Sequence, residues 1–156
     1  MALSEGEAFE RKVSRTHGTF KTKSDHGRQS TLTAFQKLRR LQEADWHGIC
    51  SCISCGKREH YTSMDGGHYR EASNLFTQFW ESNVWPQCKK CNAKTAWGLA
   101  GNLVMYRKKL IEKIGFPRVY LIEECSQIQT KITSFQYAVI CNEIRLRIKP
   151  LLERLE

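Results

Sequence analysis

The sequence predicts an α+β fold in which a small zinc-stabilised module of short strands and a helix is flanked by α-helices. Three observations carry that reading. Two C-x2-C pairs stand at 52–55 (CISC) and 88–91 (CKKC), a glycine-containing, strand-like stretch lies between them, and apolar residues recur at helical spacing on either side. With 156 residues and 40% hydrophobic content, the chain fits one core plus an appendage better than two full domains. It divides into a basic, flexible arm over 1–30, a zinc module with a leading helix over 31–100, and a basic helix with a long helical region over 101–156.

The arm is poor in large apolar side chains and scatters Arg11, Lys12, Arg15, Lys21, Lys23 and Arg28 among Ser, Thr, Gly and His. From Thr31 the pattern changes. Leu32, Phe35, Leu38 and Leu41, with Lys37, Arg39 and Arg40 interleaved, predict an amphipathic helix ending near Trp46. The stretch Glu59–Tyr69 reads as two short strands, with Gly66 and Gly67 marking a tight bend or a bulge. Asn102 is placed to N-cap a helix that carries Leu103, Tyr106, Leu110 and Ile114 on one face and ends at Gly115 and Pro117. Beyond it a helical stripe runs through Ile122, Cys125, Ile128, Ile132, Phe135 and Val139. It then changes phase to Ile144, Ile148, Leu151 and Leu155, with Pro150 expected to kink or split it.

The cysteines carry the most specific signal. Each C-x2-C pair can bring two sulfurs to one tetrahedral metal, so Cys52, Cys55, Cys88 and Cys91 predict one structural zinc that closes the loop of 32 residues at 56–87. Cys50 is an alternative ligand, although Cys52 is better spaced from Cys55. Cys125 and Cys141 fall in helical sequence, where cysteine behaves as a small buried hydrophobe. Four thiolates leave no position for water, so any chemistry needs a second site.

Charge narrows the partner. Twenty-five Lys and Arg against sixteen Asp and Glu give +9, which favours a polyanion such as nucleic acid over a neutral small molecule. The excess concentrates in Lys89, Lys90, Lys94, Arg107, Lys108, Lys109 and Lys113, with Arg70 beside the glycine stretch; these are the candidate DNA-binding residues. Trp80, Trp85 and Trp97 lie nearby, and an exposed one would stack on unpaired bases. MALSEGEAFERK holds no signal-like apolar run and no segment is apolar enough to span a membrane, so a cytoplasmic protein without a membrane partner is expected.

A one-metal nuclease needs a base to deprotonate water, hard oxygen ligands for a divalent ion, and a group that orients the base. His68 is the histidine placed beside both the glycines and the basic stretch, and Asp65 and Asn92 offer oxygens suited to Mg²⁺ or Mn²⁺. Lys94 is in reach of the scissile phosphate or of a neighbouring one.

The series CISC, GGHY and SNVWPQCKKCNAK resembles the zinc-containing HNH, or ββα-metal, endonucleases. More narrowly, CISCG, DGGHY, QCKKCN and GNLVMYRKKLIEKIG followed by an IEEC helix are similar to the NinG, or Rap, family of phage lambda recombination proteins, from about Leu38 to near the C-terminus. The resemblance implies a ββα-metal (HNH-like) fold for the module. His68 then matches the general base, Asn83 the asparagine that steadies the hairpin and the histidine, and Asn92 the metal ligand on the helix. It also implies a structure-specific endonuclease acting on Holliday junctions and D-loops, in the company of phage or host recombination proteins. Two symmetric cuts would favour a homodimer. The chain departs from the HNH pattern at Gly67, where Asp or His often ligates the metal. Asp65 replaces that ligand only if the glycines bend the strand, because residues 65 and 68 of a regular strand face opposite sides. That departure favours the rival reading, a non-catalytic zinc module binding branched or single-stranded DNA.

Overall fold

The computed structural model describes residues 24–93 and 102–155, with side chains from Gly27 onward. The expected arm residues Arg11, Lys12, Arg15, Lys21 and Lys23, together with Lys94 and Trp97, lie outside the described residues. Helix α1, Ser24–Gln42, begins six residues before Ser30 and so takes in Arg28 and the end of the segment assigned to the arm. Two antiparallel hairpins follow. The first pairs β1, Ile49–Ser51, with β2, Arg58–His60. The second pairs β3, Met64–His68, with β4, Val84–Cys88. A single turn of 3-10 helix, Glu81–Asn83, leads into β4, and α2, Lys89–Asn92, leads out of it. Helices α3, Leu103–Ile114, α4, Phe116–Cys125, and α5, Ser134–Glu153, complete the described chain.

The apolar stripe of α1 behaves as its spacing predicts. Phe35 and Leu38 are buried with Val84 and Ile144, so α1 lies between the second hairpin and α5, its most extensive helical partner. Its basic residues do more than face water. Arg39, 4% exposed, donates from Nε to the Val84 carbonyl at 2.8 Å and stacks 4.8 Å over the Trp85 ring. Arg40 donates to the carbonyls of Tyr61 at 3.0 Å and Met64 at 2.6 Å. These charge-assisted bonds clamp the helix onto β3 and β4.

Glu59–Tyr69 does contain parts of two strands, but they belong to different sheets, joined by a turn in which Ser63 N–H bonds to the His60 carbonyl at 2.9 Å. The bend expected at Gly66–Gly67 is absent. Their register is continuous, from Met64 opposite Cys88 to His68 opposite Val84. Close packing is what requires glycine here. A Cβ on Gly66 would sit 2.6 Å from Gln36 Cβ and 2.8 Å from Gln36 Cα, and one on Gly67 would sit 2.3 Å from Gln87 Oε1. Gly66→Ala is therefore expected to push α1 off the strand and cost about 1–3 kcal/mol, as overpacking does. Denaturant unfolding of the zinc-loaded protein measures this, and an unchanged midpoint would refute the close-approach argument.

The C-terminal stripe is divided. Helix α4 ends at Cys125, and α5 starts afresh at Thr133, whose side chain forms a reciprocal capping box with Gln136. The residues α5 buries are Tyr137, Cys141 and Ile144, while Ile128, Phe135 and Val139 stay exposed, so the stripe read across the break was not one face. Pro150 does not split the helix. It sits within the last turn, which continues to Glu153. At the other end, Gly115 at φ +82° ends α3, and α4 starts in the next residue with Pro117 in its first turn. Tyr106, Leu110, Val119 and Ile122 from this helical pair pack with Tyr69 and Trp85 of the second hairpin.

Candidate functional site

The four predicted cysteines converge. The Sγ atoms of Cys52, Cys55, Cys88 and Cys91 all lie within 4.8 Å of one another, and Cys55 and Cys88 are 3.8 Å apart. A tetrahedron with Zn–S bonds of about 2.3 Å has edges of about 3.8 Å, so the donor set and its spacing fit zinc. All four are free thiols. The first knuckle turns through Gly56 at φ +75°, whose N–H bonds to the Cys52 carbonyl at 2.8 Å. The second is the junction between β4 and α2. Because the pairs come from different hairpins, a metal held by all four would fix one sheet against the other, beside the 2.9 Å bond from Ile53 N–H to the Pro86 carbonyl. Cys50 is not in the cluster. It is buried beside Ala44 and Met64, and burial pushes its thiol up to about 11, so it remains a neutral core residue. Cys141 is fully buried and Cys125 half-buried, and neither joins the cluster.

The second hairpin distributes the other candidates along its length. At the zinc end, Asn92 Nδ2 donates to Asp65 Oδ2 at 3.0 Å. At the far end, His68 Nε2 is 3.0 Å from the Gln78 carbonyl oxygen. Burial lowers the His68 pKa, while the carbonyls of Gln78 and Gly66 pull the other way. Asn83, completely buried, accepts from Arg70 N–H at 2.8 Å and donates to the carbonyls of Arg70 and Thr77, each at 3.0 Å. Its side chain thereby closes the loop that supplies Gln78. Regular alternation puts Asp65 on the face of Gly67 and His68 on the other, three residues or roughly 10 Å further along the strand.

Sequence reasoning missed Gln87. It stands opposite Asp65, is 1% exposed, and donates to Ser54 Oγ at 2.8 Å and to the Cys91 carbonyl at 3.4 Å, with its side chain over Gly67. Only the strand register could have revealed it. Trp46 was also passed over. It is 70% exposed on a turn held by Asp45, whose Oδ1 accepts from His47 N–H at 3.0 Å and Ile49 N–H at 2.9 Å. The Asp-Trp-His-Gly turn signal was readable. Trp85 is in the core and Trp80 half-buried.

The basic stretch is less cationic in space than along the chain. Arg107 pairs with Glu123 at 2.8 Å, Lys109 with Glu112 at 2.7 Å and Lys113 with Glu43 at 3.0 Å, while Arg70 is 3.8 Å from Glu123. Lys89, Lys90 and Lys108 are exposed. Lys89 and Lys90 border a groove that also includes Lys57 and the outer edge of the cysteine cluster. No helix among the described residues is long and apolar enough to cross a membrane.

The chain is similar to protein ninG of Escherichia phage lambda, 37% identical over 92 residues, which cover 51% of this chain and 43% of that one. It is similar to protein ninG of Salmonella phage P22 at 44% over 73 residues, 46% of this chain and 34% of that one. The chain thus spans less than half the length of these relatives. No solved structure matches it significantly. The family model described as Bacteriophage Lambda NinG protein matches residues 4–154, nearly the whole sequence, and the chain belongs to that family.

Proposed function

We propose that this chain is a divalent-metal-dependent endonuclease of HNH type that acts on branched DNA, with the cysteine cluster holding a structural zinc. The observation that carries the reading is the second hairpin itself. A half-buried histidine and Asp65 stand on β3, a buried asparagine locks the loop from the 3-10 turn before β4, and Asn92 of α2 bonds to Asp65 beside the four-cysteine cluster. The Gln78 carbonyl accepts from His68 Nε2–H, which fixes the tautomer and makes Nδ1 the nitrogen that takes a proton from water, after which the nearby Gly66 carbonyl favours the imidazolium. Asp65 Oδ2, and Asn92 Oδ1 once its amide turns from donating to Asp65, would supply hard oxygens that suit Mg²⁺ or Mn²⁺, with phosphate and water completing the shell. A bound ion of this kind would stabilise charge on the leaving 3′ oxygen. Lys89, Lys90 and Lys108 contact the phosphate backbone, and Trp46, 70% exposed, is an aromatic able to stack on an unpaired base.

A rival has specific support. The straight β3 strand and the Gln87 amide over Gly67 separate His68 from the Asp65–Asn92 pair, which favours a non-catalytic module that binds branched or single-stranded DNA for other recombination proteins. Incubating the zinc-loaded protein with a labelled four-way junction and Mg²⁺ or Mn²⁺ separates the two. Cleavage supports the nuclease; tight binding with no cleavage under either ion transfers the assignment to the rival. In the same assay, replacing Lys89 and Lys108 by Gln should reduce the slope of log K against log salt by roughly 2, about one for each phosphate the variant no longer neutralises. An unchanged slope would remove these lysines from the interface.

A further inference from the structure

Asn102 occupies the N-cap of α3, yet its side chain makes no capping bond. It adopts the left-handed conformation, φ 48° and ψ 46°, and among the described residues no other non-glycine has positive φ. Its Nδ2 instead lies 3.6 Å from Cys91 Sγ, within reach of an N–H···S hydrogen bond. Helix α3 thus forgoes a cap for a contact with a sulfur of the cysteine cluster. Asparagine satisfies both demands of the position. It tolerates the left-handed region better than other residues with a side chain, and its amide presents an N–H without a charge.

We propose that Asn102 is a positioning residue of the zinc site, donating to the Cys91 thiolate and slowing the loss of the metal. The inference rests on the zinc reading of the four cysteines. Four thiolates around one Zn²⁺ carry a net charge of about −2. An N–H donor aimed at one sulfur spreads that charge and disfavours protonation, which is how a ligand leaves. The same bond ties the start of α3 to the second knuckle, so the helix that bears Tyr106 and Leu110 of the core begins on the metal frame.

The test compares Asn102→Gly, Asn102→Asp and Asn102→Ala with wild type in the full chain. Glycine keeps the left-handed backbone but removes the donor. Aspartate keeps the shape, removes the donor and adds a negative charge beside the thiolates. Alanine loses both backbone tolerance and donor. The readout is the rate of zinc transfer to excess 4-(2-pyridylazo)resorcinol, with far-UV circular dichroism to confirm the fold. The glycine variant is expected to release zinc on the order of 10-fold faster than wild type, and the aspartate variant faster still. In the Co²⁺-substituted protein, the sulfur-to-metal charge-transfer band should move to lower energy in the glycine variant, because the thiolate it leaves is more electron-rich. A glycine variant matching wild type in both release rate and band position overturns the proposal, as does an aspartate variant that holds zinc as long as wild type. Absence of zinc from the wild-type protein would instead overturn the zinc reading itself, so the two failures are distinguishable.

Discussion

Chelation of a zinc held by the four cysteines is expected to unfold the first hairpin and to loosen the second from it. Each sheet is a single two-stranded hairpin, with strands of three residues in one and five in the other, and only the second is packed against helices on both sides, through Val84 to α1 and α5 and through Trp85 to α3 and α4. A structural Zn²⁺ site contributes an apparent binding free energy of about 10–16 kcal/mol at neutral pH, comparable to or larger than the whole stability of an ordinary domain. The cluster of Phe35, Leu38, Val84 and Ile144 does not include the cysteines, so α1, α5 and the Val84 end of β4 are expected to outlast the first hairpin. Cys88→Ala should reproduce the chelated state, since Cys88 both ends β4 and opens α2. Cys50→Ala should keep one zinc per chain. Metal content and near-ultraviolet circular dichroism report these outcomes, and a chelated protein that keeps its native spectrum and melting temperature would show that the cysteines hold no structural metal.

How far the sequence revealed this arrangement depended on the range of the interaction. The four clustered cysteines were legible because C-x2-C spacing is a local geometric requirement, and the choice of Cys52 over Cys50 followed from the same spacing. The α1 stripe was legible because burial recurs with the helical period. The glycines misled because close approach and chain bending leave the same mark in sequence. What distinguishes them is Gln36, thirty residues before Gly66, and no local pattern announces it. Asn102 was found for its position but not its contact, since its partner is the sulfur of Cys91. The basic stretch looked stronger than it is because Glu43 and Glu123, which neutralise Lys113 and Arg107, come from the turn after α1 and from α4. In the C-terminal region periodicity was carried across a break that Thr133 and Gln136 mark with a capping box. That S/T-x-x-Q signature was available in the sequence.

Replacing His68 by Ala is expected to lower junction cleavage by about 10²–10⁴-fold, the range a positioned general base contributes, while leaving junction binding and zinc content unchanged. The substitution is separable from folding because Asn83 makes three bonds that close the loop over residues 70–83, to the backbone of Arg70 and Thr77, while the imidazole adds one, to the Gln78 carbonyl. The pH profile adds a test that a structural histidine would not pass. Burial disfavours the imidazolium, so His68 titrates below the ordinary 6.5 and stays neutral where an exposed histidine would already be half protonated. The acid limb of the cleavage rate should therefore lie below pH 6.5 and disappear from the residual activity of the alanine variant. Stability carries the same sign. Between the folded pKa and 6.5 the unfolded chain binds the proton more readily, so stability falls as pH drops through that window and is insensitive to this group above it. His68→Ala should flatten that part of the stability curve. A variant that cleaves as fast as wild type, or a wild-type acid limb above pH 6.5, would take His68 out of the chemistry and leave it as a hydrogen-bonded support for the 70–83 loop.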